Sequence, residues 1–146
     1  MKAVRVKENW QFAGVHYVRV EAMVKGFHIP MDKEFDEADS PESRYVLVFD
    51  DIYPVAACRI HLLEGEDTAK IERVSVLAEY RKKGVGRLLI GEAEQWIRES
   101  GVKKIVITSR DEAVGFYEAL GYQADYEKKI DAGIFKIVYT EKNLSK

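Results

Sequence analysis

The sequence predicts an α+β domain, a mixed β-sheet with helices packed on it, and three observations carry that prediction. Strand-like segments crowd the first half of the chain, at residues 2–7, 45–49, 54–63 and 69–76. Two helical stretches, residues 84–100 and 111–120, then alternate with a short apolar segment at 104–108, and each ends at a glycine. Last come two strand-like segments, residues 122–130 and 134–141, around the turn Asp131-Ala132-Gly133.

Each element follows from its own pattern. Ala3, Val4 and Val6 alternate with charges in the first strand. Asn9 is a candidate N-cap for a helix over residues 10–25, whose Val15, Val18, Ala22 and Met23 have helical spacing and which Gly26 ends. Residues 32–42 carry Asp32, Glu34, Asp36, Glu37, Asp39 and Glu42 with one proline, and read as an acidic loop. Asp50-Asp51 separates the next two strands as an antiparallel hairpin, and residues 65–67 turn the chain into the following strand. In residues 84–100 the stripe Val85, Leu88, Leu89, Ala93, Trp96 and Ile97 opposes Glu92, Glu94, Arg98 and Glu99.

At 146 residues the chain fits one domain, residues 1–146. A net charge of −2 excludes bulk electrostatic binding of nucleic acid or an anionic membrane, so any anion site must be local. No run approaches the roughly 18–20 apolar residues of a membrane helix, and the N-terminus lacks a signal-peptide core. The single cysteine, Cys58, allows no intrachain disulfide and suits a reducing, cytoplasmic setting. Its apolar neighbours Val55, Ala56 and Ala57 suggest a buried, inert thiol. His16, His28 and His61 are not spaced as metal ligands, and no metal is expected.

The chemistry gathers where a strand passes into a helix at Gly84-Val85-Gly86. A helix start leaves backbone amides unpaired and carries partial positive charge, so it can hold a phosphate. Arg81, Lys82, Lys83 and Arg87 add full charges there. A Walker loop is excluded because Glu92 follows Gly91 where lysine is required, and the dinucleotide fingerprint fails because Leu89 replaces its third glycine. Two readings remain at this point: a pyrophosphate site, or glycines that only permit close packing beside solvated cations.

Arg81-x-x-Gly84-x-Gly86, preceded by Val74-Ser75-Val76, resembles the acyl-CoA motif of the GNAT superfamily of N-acetyltransferases. Ala113-x-x-Phe116-Tyr117-x-x-Leu120-Gly121-Tyr122 resembles that family's second motif. The resemblance implies the GNAT fold, a mostly antiparallel sheet splayed between its fourth and fifth strands with helices on both faces. It also implies an acetyl-CoA cosubstrate, with Val74, Ser75 and Val76 along the pantetheine arm. Arg81, Lys82, Lys83, Gly84, Val85, Gly86 and Arg87 would surround the diphosphate. On the second motif's helix, Phe116 and Leu120 are expected on the sheet, with Tyr117 directed along the ligand. Glu34-x-Asp36-x-x-Asp39, Ile71-Glu72-Arg73 and Asp131-Ala132-Gly133-Ile134 resemble a bacterial branch whose members carry a histidine in the last strand, where this chain has Phe135-Lys136.

Such a protein moves an acetyl group to a primary amine of a small molecule or a protein. A lysine-like amine is neutral in only about one molecule in two thousand at pH 7, so a base is needed. By resemblance Tyr117 is the acid that protonates the departing thiolate. Glu72 is the candidate base, with a structural salt bridge as its alternative role. Glu34, Asp36 and Asp39 are further candidates for the base, or an acidic mouth for a cationic amine, or a solvated loop. A catalytically silent CoA-binding or sensor module is the rival function. A homodimer through the terminal strands is what the resemblance allows.

Overall fold

The computed structural model describes residues 1–63 and 65–144. Its β-branched and aromatic segments pair into one sheet of seven strands: β1 (Lys2–Arg5), β2 (Arg44–Asp50), β3 (Tyr53–Leu63), β4 (Thr68–Val76), β5 (Lys104–Arg110), β6 (Gln123–Asp131) and β7 (Lys136–Asn143). The spatial order is β1-β2-β3-β4-β5-β7-β6, and every neighbouring pair is antiparallel except β4 with β5. This is the α+β arrangement that the sequence pattern predicts, and it is mostly antiparallel, as the family resemblance implies.

Two irregularities of β4 shape the molecule. It pairs with β5 only where Thr68, Ala69 and Lys70 face Lys104, Ile105 and Val106. Beyond that point the two strands part, and the sheet opens into a V between residues 71–76 and 107–110. On its other edge β4 carries a bulge: Ala57 faces Ser75 and Arg59 faces Glu72, so Arg73 and Val74 together oppose Cys58. Arg73 has φ of 53°, a left-handed conformation that costs a non-glycine residue about 1–2 kcal/mol.

Helices cover both faces, as strand alternation requires. Arg44 donates to Ser100 Oγ at the end of α3 (Val85–Glu99), while the next residue, Tyr45, meets Phe12 of α1 (Asn9–Arg19) edge-on at 5.8 Å. The sequence order is completed by a π-helical continuation of α1 over Val20–Lys25, by α2 (Met31–Glu34) and by α4 (Val114–Ala119). Buried Val15, Leu47, Ile71, Leu89, Ile97 and Ile105 form the middle of the core. Each such side chain contributes about 1.5–3 kcal/mol of burial.

Several local expectations shift. Glu8, not Asn9, caps α1, through a capping box in which Gln11 accepts from the Glu8 amide at 2.9 Å. In α3 the buried stripe includes Ile90, while Leu88 is 38% exposed. The acidic stretch begins as the short helix α2, and the second helical stretch begins as a 3-10 turn at Asp111–Ala113 before α4.

Candidate active site

The V between β4 and β5 forms a cleft of about 850 Å³, within the usual range of small-molecule sites. It passes through the opened sheet, from Gly86, Phe116 and Tyr117 on the α3 side to Met23, Pro30 and Glu72 on the α1–α2 side. Of the residues singled out in the sequence, Glu72, Val74, Ser75, Val76, Arg81, Lys82, Gly84, Gly86, Arg87 and Tyr117 all line it. Lys83 and Val85 do not. The Lys83 ammonium lies 5.7 Å over the Tyr80 ring, and the Val85 side chain is 1% exposed in the core.

At the mouth of the V, α3 starts without a side-chain cap and without an acidic residue in its first turn. Its first backbone bond runs from the Leu88 amide to the Gly84 carbonyl at 3.2 Å, which leaves the first-turn amides for an outside acceptor. The two glycines have different reasons to be there. Gly84 has φ of +81° with open space around it, and so serves the turn. A Cβ on Gly86 would lie 3.1 Å from Phe116 Cζ, so Gly86 serves the contact between α3 and α4. Arg81 ties the loop to the strand by donating from Nε to the Val76 carbonyl at 3.2 Å.

On α4 the aromatic pair is disposed differently from the expectation. Tyr117 is the buried member at 5% exposure, while Phe116 is 39% exposed and covers Gly86. Tyr117 packs edge-on against Phe116 at 5.1 Å and against Tyr122 at 5.9 Å. Burial, with Cys58 nearby, raises the Tyr117 phenol well above the ordinary tyrosine value, against a smaller opposing effect of Arg110. The Cys58 thiol is itself pushed up to about 12 by burial, which makes it an inert core group. Tyr122 donates to Glu94 Oε2 at 2.7 Å, and burial and that carboxylate raise its phenol too.

The acidic stretch is neither a solvated loop nor an open mouth. Three of its carboxylates, Glu34, Asp36 and Asp39, are bound by three arginines from three other elements. Arg19, 1% exposed, donates to Glu34 Oε2 at 2.9 Å and to Asp39 Oδ1 at 2.5 Å. Arg59, 3% exposed, donates to Asp36 Oδ1 at 2.8 Å and lies 3.0 Å from Asp39 Oδ1. Arg73, turned by the bulge, donates to the Glu34 carbonyl at 3.0 Å and to Asp36 Oδ2 at 2.9 Å. Tyr45 adds a bond to Asp39 Oδ1. Burial would raise the Asp39 carboxyl, but Arg19, Tyr45 and the Asp36 amide overcome it and hold the group well below the usual carboxylate range. Glu72 accepts from Arg59 as well, so the salt-bridge alternative is present in full.

One wall of the cleft has no counterpart in the sequence reading. The Arg110 guanidinium, at the end of β5, lies 5.1 Å from the ring of Phe27 and 5.0 Å from that of Phe135. The two rings meet edge-on at 5.1 Å. Phe27 follows the π-helical segment and Phe135 precedes β7, so this cluster joins elements that are more than a hundred residues apart in the chain. Phe135 was visible only as a departure from the branch pattern; nothing in the sequence paired it with Phe27. His61 is exposed and lies outside the cleft.

The chain belongs to the acetyltransferase (GNAT) family, whose model matches residues 12–122 and so takes in both walls of the V. It is an acetyltransferase. Among its relatives is YjcF of Bacillus subtilis (strain 168), described as an uncharacterised N-acetyltransferase, 36% identical over 135 residues that span 92% of this chain and 94% of YjcF. A crystal structure from Lactobacillus plantarum, named for the N-acetyltransferase activity expected of it, superposes with a TM-score of 0.89. It is 25% identical, over 98% of this chain and 97% of that one. The PaiA N-acetyltransferase of Thermoplasma acidophilum, solved in complex with coenzyme A, shares the fold with a TM-score of 0.71 at 16% identity, over 98% and 99% of the two chains.

Proposed function

We propose that this protein moves the acetyl group of acetyl-CoA to a primary amine of a small molecule or a protein. The observation that carries the proposal is the uncapped start of α3 at the mouth of the V, with Arg81, Lys82 and Arg87 lining the same cleft. Open amides and cations converging on one point suit a diphosphate. Below it, the backbone of β4 beyond Lys70 has no ladder partner on β5, which suits an extended amide-containing arm such as pantetheine. That PaiA, which shares this fold, was solved with coenzyme A bound supports a CoA ligand for the fold.

Acetyl-CoA supplies the activated acyl group as a thioester. Transfer forms a C–N bond, breaks the C–S bond and moves one proton from nitrogen to sulfur overall. A backbone amide within Val74, Ser75 and Val76 would stabilise the carbonyl oxygen as it gains charge. Tyr117 would donate a hydrogen bond or its proton to the thiolate; burial keeps the phenol protonated across the working pH range while making it a weaker acid than an ordinary tyrosine. Glu72 would take the amine proton through water. Its Oε2 is held by Arg59, while its Oε1 has no partner among the described residues and the side chain lines the cleft. The readout is release of free CoA thiol with a panel of amines, beside calorimetric titration with CoA. The proposal expects CoA binding that weakens in a Lys82→Gln, Arg87→Gln protein and thiol release that depends on an amine; a protein that fails to bind CoA overturns it.

A further inference from the structure

We propose that the amine acceptor carries an anionic group of its own, and that Arg110, packed against Phe27 and Phe135, binds that group in the cleft. The inference rests on the reading of the cleft as the acetyl-CoA site and names the class of molecule that meets acetyl-CoA there.

The first argument is electrostatic. An acceptor with several ammonium groups needs free carboxylates, and the two that line the cleft, Glu34 and Glu72, are both engaged by arginines. Glu34 and Asp39 are taken by Arg19, Asp36 by Arg59 and Arg73, and Oε2 of Glu72 by Arg59. Cations, by contrast, remain available. Lys33 lines the cleft with no ion pair among the described residues. Arg110 has one carboxylate partner, Glu112, at 3.0 Å, and Glu112 is a 66% exposed surface side chain. Such a pair is screened by water and competes weakly with a ligand.

The second argument is geometric. A guanidinium packed against two aromatic rings loses rotamer freedom before any ligand arrives, and its planar fork of N–H donors keeps its capacity for an anion. That fork matches the two oxygens of a carboxylate, or two of the three of a phosphate, in a bidentate pair. The neighbouring wall, Met23, Ile29, Ile134 and Phe135, is apolar. The site therefore fits a compact amine with an apolar body and an anion within a few bonds of the nitrogen, and it disfavours a polyamine.

Matched pairs of amines test this. Phenylalanine against phenethylamine and leucine against 3-methylbutylamine differ only by the carboxylate; phosphoethanolamine against ethanolamine asks the same of a phosphate. The expected result is a kcat/KM at least about tenfold higher for one anionic series, since a charge-assisted pair contributes about that factor. Which series responds identifies carboxylate or phosphate. In Arg110→Gln the ratio within the responding pair collapses toward one through KM of the anionic amine, and Phe135→Leu, which keeps the charge but removes a stacking ring, narrows it partly. Binding of the anionic amine to the CoA-loaded protein, read as a rise in Tm, should follow the same order. Equal or better use of the plain amines overturns the inference, as does failure of every anionic amine to bind or turn over. So does an Arg110→Gln protein whose CoA affinity falls as much as its amine preference. Loss of CoA binding by the parent protein would instead defeat the underlying reading of the cleft.

Discussion

Arg59 places Nε and Nη2 on a single oxygen of Glu72, Oε2, at 2.8 and 2.5 Å, and leaves the other oxygen of that carboxylate to the cleft. The pair crosses from β3 to β4 beside the bulge, so the residue that orients Glu72 is itself fixed by a buried network. A carboxylate held in this way has one direction in which to accept a proton.

Glu72→Gln should therefore separate chemistry from structure. Arg59 keeps Asp36 and Asp39, so the fold should persist with a modest fall in Tm. General-base assistance typically contributes about 10²–10⁴ in rate, and a loss of about 10² at pH 7 is expected here. The deficit should shrink as pH rises toward the amine's own pKa of about 10, because the neutral amine then supplies itself. A kcat equal to that of the parent at pH 7 would leave Glu72 with a structural role alone.

Tyr117→Phe tests the acid. No side-chain hydrogen bond holds the Tyr117 hydroxyl among the described residues, so its removal should cost under about 1 kcal/mol of stability. Turnover should fall about 10–100-fold with CoA affinity retained. The raised phenol value gives a further expectation. Activity in the parent should show no loss from tyrosine ionisation near pH 10, and an alkaline limb centred on the ordinary value would contradict the assignment.

Acid should attack the fold at the acidic stretch. The folded-state pKa values of Asp39 and Asp36 are depressed: burial works against Asp39 but Arg19 and Tyr45 outweigh it, and Arg59 is the main cause at Asp36. The sign follows: the unfolded carboxyls bind protons first. Their stabilisation is present above about pH 4, the unfolded value, and is lost as pH falls through the lower folded values. Urea titrations between pH 6 and pH 2.5 should show that decline. Asp39→Asn should flatten it while lowering stability at pH 7 by about 3 kcal/mol, the low end for a broken buried pair, because Arg19 keeps Glu34. An acid limb as steep in the variant as in the parent would place the sensitive group elsewhere than Asp39.

The sheet, its order of elements and the glycine-led start of α3 were legible in the sequence because each depends on neighbours in the chain: alternation, helical spacing, and glycines beside cations. What the sequence hid depends on contacts between distant segments. Glu34, Asp36 and Asp39 read as solvated in the sequence because their partners, Arg19, Arg59 and Arg73, lie on α1, β3 and β4 and carry no local sign of pairing. The bulge at Arg73 leaves no glycine or proline to mark it, since an arginine adopts the left-handed conformation there. Phe116 covers α3, where the missing side chain of Gly86 leaves a seat for its ring. The cluster of Phe27, Arg110 and Phe135 needs three segments far apart in the chain to meet, and no spacing along the chain encodes that.

The two glycines of the motif should respond differently to the same added methyl group. At Gly84 nothing lies within 4 Å of the new Cβ, but φ is +81°, so Gly84→Ala should cost about 1–2 kcal/mol from backbone strain. At Gly86 no such strain exists. The new Cβ instead meets Phe116 Cζ at 3.1 Å, and that ring is partly exposed and can tilt away. Gly86→Ala should then lose under about 1 kcal/mol in chemical denaturation, a small value for a partly relieved overpacking. Adding Phe116→Leu should remove the clash and recover most of that loss, while the same addition should do nothing for Gly84→Ala. Because the space around Gly84 is open in the protein itself, any loss of CoA affinity there beyond the loss of stability reports a ligand seated against the loop. A Gly86→Ala protein less stable than Gly84→Ala, or a double variant with no recovery, would mean that Phe116 cannot move and that the two glycines do one job between them.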